Sequence, residues 1–348
     1  MRRCYFSRMY ADNTNGGNKA KIDFEIIMES MGFENLGFGQ RIEKGKVKGF
    51  FYDLFSIIKV LFSIRKDDLL VIQYPLRKYY TIVASVAAMK GAKVIALIID
   101  LGAYRRKKLT AEQEKKKLAS ACSLIVISEQ MKAVLLEQNY TQDIQVLEMW
   151  DFMIDKKGID FEYEKKDYSE LLYVGGLSIK KHSFMYKMDE KDLLGNIKFQ
   201  IFGQVDNDNP TIKSQDSFVY HGLAQPEDIV SRRYGDFGLV WYGHSFSEID
   251  GVYGEYLKIT VSGKCSLYMH AHIPLIVWSE SAYADFVRKH NIGICVESLE
   301  NLHETISAIS VEEYNTMREN TKKISQMLSE GFFFKRAFAA IETNIKQK

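Results

Sequence analysis

The chain has 348 residues, long for a single hydrophobic core, so two domains are expected. Its 46% hydrophobic and 26% charged residues exclude a disordered or collagen-like chain, and no apolar run approaches the roughly 18 residues that span a bilayer. The net charge of +2 is uneven, because residues 1–150 carry 24 Lys and Arg against 16 Asp and Glu, leaving the remainder acidic.

The first half alternates strand and helix signals. A short strand is expected over 3–10, then a loop over 11–18 containing Gly16 and Gly17. Helical spacing covers 19–31 and again 47–64. Strands over 69–73, 93–99 and 123–127 are separated by helices over 79–90 and 107–120, and a helix follows over 130–138. Several of these strands are apolar without alternation, which is the mark of a parallel sheet covered on both faces.

A charged, loop-like stretch over 151–167 separates the halves. Strands are then expected over 170–174, 198–202, 217–220, 238–241, 275–278 and 292–296, with helices between them. Two long helical patterns, 311–328 and 331–345, end the chain. The expected fold class is therefore α/β, with two doubly wound domains in tandem and ligands at the carboxyl ends of the strands.

Residues 262–278 carry the sharpest chemical signal. Ser262-Gly263-Lys264 opens a short helical pattern that runs to His272, before Pro274 and an apolar strand. A lysine at a helix N-terminus pairs a point charge with free backbone N–H groups, and both suit a phosphate. Upstream, 235–242 reads as a buried strand ending at Trp241 and Tyr242. At the head of the second half, Tyr173-Val-Gly175-Gly176 is a strand running into a turn, with Lys180 or Lys181 in reach of a phosphate. An ordinary turn explains that pattern equally well.

Other features are weighed against simpler readings. The Gly16-Gly17 loop with Lys19 is not a dinucleotide fingerprint. Asp206-Asn207-Asp208 has the spacing of a manganese motif, but its Asn and Pro neighbours favour a plain turn. His270 and His272 would point to different faces of a helix, so no metal pair is expected. Asp100 ends a strand, where a carboxylate could take a proton from an acceptor hydroxyl; a helix cap or a salt bridge with Arg105 or Arg106 is the structural alternative. Helix 47–64 is rich in Phe and follows Lys44 and Lys46, which suits either an anionic membrane surface or a sheet-covering helix. The four cysteines show no paired spacing, and Cys122 and Cys295 are expected buried and reduced. The N-terminus lacks a signal-peptide core, so a cytoplasmic protein is expected.

The segments 235–241, 264–278, 149–151, 173–176 and 331–336 together resemble bacterial GT-B glycosyltransferases of the galactofuranosyltransferase type and the related glucosyltransferases of adhesin glycosylation. The resemblance spans most of the chain. It implies two Rossmann-like domains facing across a cleft, over 1–155 and 165–328, with a final segment 329–348 crossing back to the first. It also implies a UDP-sugar donor, a glycan or lipid-linked glycan acceptor, no cofactor or essential metal, no nucleic acid, and a homo-oligomer. Lys264 matches the diphosphate-binding lysine and Asp100 the aspartate of a His-Asp pair whose histidine is Ile99 here. Gly176 replaces a common asparagine, Ile179 falls where some relatives carry arginine, and Lys180 is the substitute cation. The expected donor set adds Gly175, Gly203, His221, Trp241, Tyr242 and Ser266; the expected acceptor-side loop is Gly16, Gly17, Lys19 and Arg105. The reading is transfer of a hexose, galactofuranose among the candidates, in cell-surface polysaccharide or glycoconjugate synthesis. The competing reading is a non-catalytic nucleotide-sugar-binding subunit supporting a partner transferase.

Overall fold

The computed structural model describes residues 1–10, 16–43, 45–76, 79–154, 158, 163–164, 169–191, 196–205, 217–232 and 234–347. The chain forms two compact units, Met1–Met153 with Glu330–Lys348, and Ile154–Ser329.

The first unit holds strands β1 (Arg3–Tyr5), β2 (Met9–Tyr10), β3 (Glu34–Asn35), β4 (Arg41–Ile42), β5 (Leu69–Tyr74), β6 (Lys93–Ile98), β7 (Ser123–Val126) and β8 (Asp143–Val146). Its main sheet is parallel in the order β3-β1-β5-β6-β7-β8. Every residue of β7, and all of β5 but Gln73, is buried, as expected of strands covered by helices on both faces. The strand expected over 3–10 is in fact two: β1 joins the main sheet, while β2 leaves it to pair with β4.

The second unit contributes β9 (Ser169–Val174), β10 (Ile197–Phe202), β11 (Phe218–Gly222), β12 (Phe237–Val240), β13 (Leu275–Trp278) and β14 (Gly293–Val296). These pair in parallel as β11-β10-β9-β12-β13-β14. Counted within its own sheet this is the 3-2-1-4-5-6 order of a Rossmann domain, whereas the first sheet runs 2-1-3-4-5-6. The order reverses between β9 and β12, and a crevice opens outside the carboxyl ends of strands at such a point.

The last helix, Phe332–Gln347, belongs to the first unit and packs on β7, β8 and the helix Gly16–Ser30. Its start is fixed by Asp151, whose carboxylate accepts from the backbone N–H groups of Phe333 at 3.1 Å and Phe334 at 2.7 Å. Phe334 and Phe338 pack against Phe24 and Phe33, with ring centroids 5.4 and 4.8 Å apart. Arg336 donates to Glu148 at 2.7 Å and to the carbonyl of Leu147 at 2.9 Å.

Two other expectations are corrected. Gly16, Gly17 and Lys19 are not a loop but the first turns of the helix Gly16–Ser30. Lys19 is buried there because its ammonium finds Asp23 one turn on and the carbonyl of Met153. Of the cysteines, Cys122 is exposed and Cys295 half-buried, whereas Cys4 and Cys265 are buried; all four are free thiols. The Asp206-Asn207-Asp208 segment lies outside the described residues.

Candidate functional site

The strand β9 ends in Gly175, whose φ of +143° few side-chain-bearing residues adopt. Its N–H donates to the carbonyl of Phe202, the last residue of β10, at 2.9 Å. Gly203 follows β10 with a φ of +142°, and its N–H donates to Gly222 at 2.8 Å. Neighbouring strand ends thus lie against one another at two glycines. Gly176 is exposed, with open space where a side chain would stand.

Facing this turn is the helix Gly263–His270. Ser262 caps it, its hydroxyl accepting from Lys264 N–H at 3.4 Å and lying 3.3 Å from the Tyr242 hydroxyl. Tyr268, one turn after Lys264, ties the helix to both central strands. Its hydroxyl accepts from Val174 N–H at 3.0 Å and donates to the Leu239 carbonyl at 3.2 Å. Close approach is possible because β12 carries Gly238, where a Cβ would stand 2.2 Å from the Tyr268 ring.

Lys264 occupies the space so created. The residue as a whole is half-buried, but Nζ is buried and has no hydrogen-bond partner among the described residues. The ammonium lies 3.9 Å from the Tyr173 ring centroid and 4.5 Å from that of Tyr242. Those π-faces attract a cation but do not replace hydrogen bonds. Burial therefore pushes the amine down from its ordinary value to about 7. A buried amine with three unused donors, beside a capped helix N-terminus, is built for an anion that brings oxygen acceptors. Among the described residues there is no cluster of His, Cys, Asp and Glu that could hold a metal ion.

The remaining expected donor residues are placed differently. Tyr242 borders the lysine through its ring. Trp241 is a core residue instead of a lining one: it is fully buried, its indole N–H donates to the Ser245 carbonyl at 3.0 Å, and its own carbonyl accepts from the Tyr173 hydroxyl at 2.9 Å. Ser266 is likewise fully buried in the helix. His221 lies on the outermost strand, β11, stacked on Phe202 at 4.5 Å and 2.6 Å from Gln200 Oε1. The Lys180 side chain lies outside the described residues.

Sequence reasoning overlooked Tyr173, His182 and Tyr268. His182 is buried, its ring 5.9 Å from Tyr173 and 5.0 Å from Tyr242. Tyr268 carries a legible signal: it is four residues after Lys264 and therefore on the same helix face.

In the first unit, Asp100 follows β6 at its carboxyl end and forms an ion pair with Arg105. Burial raises its carboxyl above the ordinary value, opposed by Arg105. The salt bridge weighed as its structural role is thus present. A second carboxyl, Glu25, accepts from Tyr10 at 2.5 Å and from Gln40 at 2.8 Å, and burial lifts it to about 7.

Comparison with known proteins places the chain in a family. The model of the glucosyltransferase 3-like N-terminal domain matches residues 3–149, and that of the C-terminal domain matches residues 171–341. The chain belongs to the glucosyltransferase 3-like family. Among curated proteins it is 26% identical to the beta-1,6-galactofuranosyltransferase WbbI of Escherichia coli (strain K12) over 294 residues, 83% of each chain. It is also 26% identical to glucosyltransferase 3 of Streptococcus gordonii over 333 residues, 91% of each. Among solved structures, Anabaena Alr3699/HepE in complex with UDP matches with a TM-score of 0.63 at 10% identity, covering 99% of this chain and 100% of that one. The WaaG glycosyltransferase of lipopolysaccharide biosynthesis matches with a TM-score of 0.55 at 11% identity, covering 95% and 98%. At these identities the likeness is one of fold, and that fold is GT-B. The Lys264 helix and the Gly175 turn both lie in the span of the family's C-terminal domain.

Proposed function

We propose that this protein transfers a hexose from a UDP-sugar to a hydroxyl of a glycan acceptor in cell-surface glycan synthesis. One observation carries the reading: a buried lysine amine with no hydrogen-bond partner among the described residues, beside a helix N-terminus, at the point where the strand order of the second sheet reverses. Its relatives' names, a galactofuranosyltransferase and a glucosyltransferase, supply the reaction class.

On this reading the second unit holds the donor. The diphosphate lies against Lys264, the first turn of its helix and the open backbone of Gly175 and Gly176. As the acceptor oxygen attacks the anomeric carbon, the bond to the diphosphate breaks and negative charge grows on the leaving oxygens. Donors fixed before the reaction stabilise that charge more than the ground state. Tyr173 and Tyr242 keep water from the amine, which strengthens its interaction with phosphate. The ammonium supplies the neutralisation that a divalent metal supplies elsewhere, so transfer proceeds without one. The first unit serves the acceptor, and Asp100 takes the proton of the attacking hydroxyl, with Arg105 holding the carboxylate in place. The transferred sugar is a hexose, with galactofuranose and glucose the first candidates.

The test is a thermal-shift panel of UDP-sugars, followed by UDP release with and without EDTA. A ligand at 100 times its Kd stabilises the native state by about 2.7 kcal/mol, a shift of a few degrees. Lys264→Ala is expected to weaken UDP binding about 10- to 100-fold, the worth of a charged hydrogen bond of about 1.5–3 kcal/mol. Unchanged affinity in that variant, stabilisation by no uridine nucleotide, or loss of turnover in EDTA would each count against the assignment.

A further inference from the structure

We propose that the outward face of the helix Lys46–Ser63 docks this protein on an anionic lipid bilayer. The helix has two apolar faces. One holds Ile57 and Val60 in the core of the first unit. The other carries Val47, Phe51, Phe55, Ile58 and Phe62, spaced four, four, three and four residues apart, which at 3.6 residues per turn is one continuous stripe. These side chains stand in solvent: Val47 is 71% exposed, Phe55 55% and Phe62 84%. An aromatic surface of this extent marks a docking face.

The charge pattern selects lipid as the occupant. Lys48 and Lys59 are exposed and lie along the same edge of the stripe, the Lys59 ammonium donating to the Gly37 carbonyl at 2.7 Å beside the Phe38 ring. The one acidic residue in the helix, Asp53, is turned inward, where Arg8 holds it at 2.6 Å. The nearest preceding carboxylate, Glu43, is paired with Lys48 at 3.0 Å. Arg65 and Lys66, both exposed, follow the helix end, with exposed Asp67 after them. The outward face of the helix thus combines phenylalanine with lysine and no carboxylate. Phenyl rings sink into the boundary between headgroups and acyl chains, while lysine stems bend back to reach lipid phosphates. An antiparallel second copy would cover the rings but would set its own lysine edge beside this one. The neighbouring helix Tyr79–Met89, packed alongside, also exposes apolar residues, Ile82 at 50% and Met89 at 78%. Among the described residues no helix is long and apolar enough to cross a membrane, so the contact is with one surface.

The experiment is flotation of the full chain with vesicles of phosphatidylcholine alone and of phosphatidylcholine mixed with phosphatidylglycerol. Partition onto the mixed vesicles is expected to be at least about tenfold stronger and to weaken with salt. Phe51→Ser/Phe55→Ser/Phe62→Ser and, separately, Lys48→Glu/Lys59→Glu should each lower it about tenfold while the circular dichroism melt stays unchanged. If the triple variant loses its fold, the lysine pair decides alone. Equal partition onto neutral vesicles, no partition onto either, or variants that bind like the parent overturn the proposal. A dimer that disappears in the phenylalanine variant, with no vesicle binding, assigns the face to a second copy instead. None of these outcomes bears on whether the chain transfers sugar.

Discussion

Gly203 stands so close to Gly175 that a Cβ on it would lie 1.7 Å from the Gly175 carbonyl oxygen. The atoms that this Cβ would meet all belong to the Gly175 backbone, so there is no flexible side chain to yield. A Cβ on Gly175 would instead meet Lys264 Cε at 3.0 Å, the flexible part of a long side chain. The two substitutions therefore separate stability from binding. Gly203→Ala is expected to destabilise by more than about 2 kcal/mol, combining backbone strain with steric exclusion. Gly175→Ala should lose less stability and more UDP affinity, because it displaces the amine. Denaturant midpoints and calorimetry with UDP check both; equal affinity in the two folded forms would break the link between the turn and the lysine.

Lys264 should cost the empty protein stability and repay it on binding. Its amine is pushed down to about 7 in the folded state from an ordinary value of 10.5, so between these values the unfolded chain holds more protons. Stability of the unliganded protein from this group therefore rises as pH goes from 7 towards 10.5, and the full cost is present below pH 7. Lys264→Met is expected to raise the melting temperature most clearly near pH 6, by a few degrees, while abolishing tight UDP binding. A diphosphate favours the charged amine, so UDP affinity in the parent should fall as pH rises above about 7, with proton uptake on binding. Calorimetry in buffers of different ionisation heat measures that uptake; none, with a pH-independent Kd, contradicts the assignment.

Asp100→Asn tests the proposed base. An amide accepts no proton, so transfer should fall on the order of 10²–10⁴ with UDP affinity nearly intact. Arg105 provides the control, since it pairs with this carboxylate. Arg105→Gln should raise the Asp100 carboxyl further and move the acidic limb of the pH–rate profile upward. Full activity in the asparagine variant would leave Asp100 only its structural pairing with Arg105.

Asp151→Ala should loosen the last helix. Both carboxylate oxygens are occupied by the N–H groups of Phe333 and Phe334, and loss of such a cap costs roughly 1–2 kcal/mol. Burial lifts this carboxyl to about 7, so the folded state binds its proton more tightly than the unfolded chain. Its contribution is fully present below the ordinary carboxylate range and is lost as pH rises through about 7; Asp151→Asn should flatten that slope. Hydrogen exchange across Phe332–Gln347 reads the local effect. Unchanged protection in the alanine variant would mean the phenylalanine packing suffices alone.

By itself the sequence determined which segments are strands covered on both faces, because unalternating apolar runs such as Ser123–Val126 and Leu275–Trp278 are written locally. It also placed Lys264 at a helix start and Asp100 at a strand end, since capping serines and strand limits are local signals too. Only the tertiary structure decided what each of these meets. Gly16 and Gly17 read as a loop until Lys19 found Asp23 and the distant Met153 carbonyl, which stabilise a helix there. The 3–10 segment reads as one strand, yet Tyr10 pairs with Ile42 while Cys4 pairs with Leu70. Trp241 and Tyr242 are adjacent in sequence, but one is sealed in the core and the other borders the buried amine. Strand order follows the same division: periodicity records which faces are apolar, whereas partners far apart in the chain are chosen by packing. The perturbation of Lys264 arises from that packing, because Tyr173 and Gly175 from one segment and Tyr242 from another, far along the chain, converge on it.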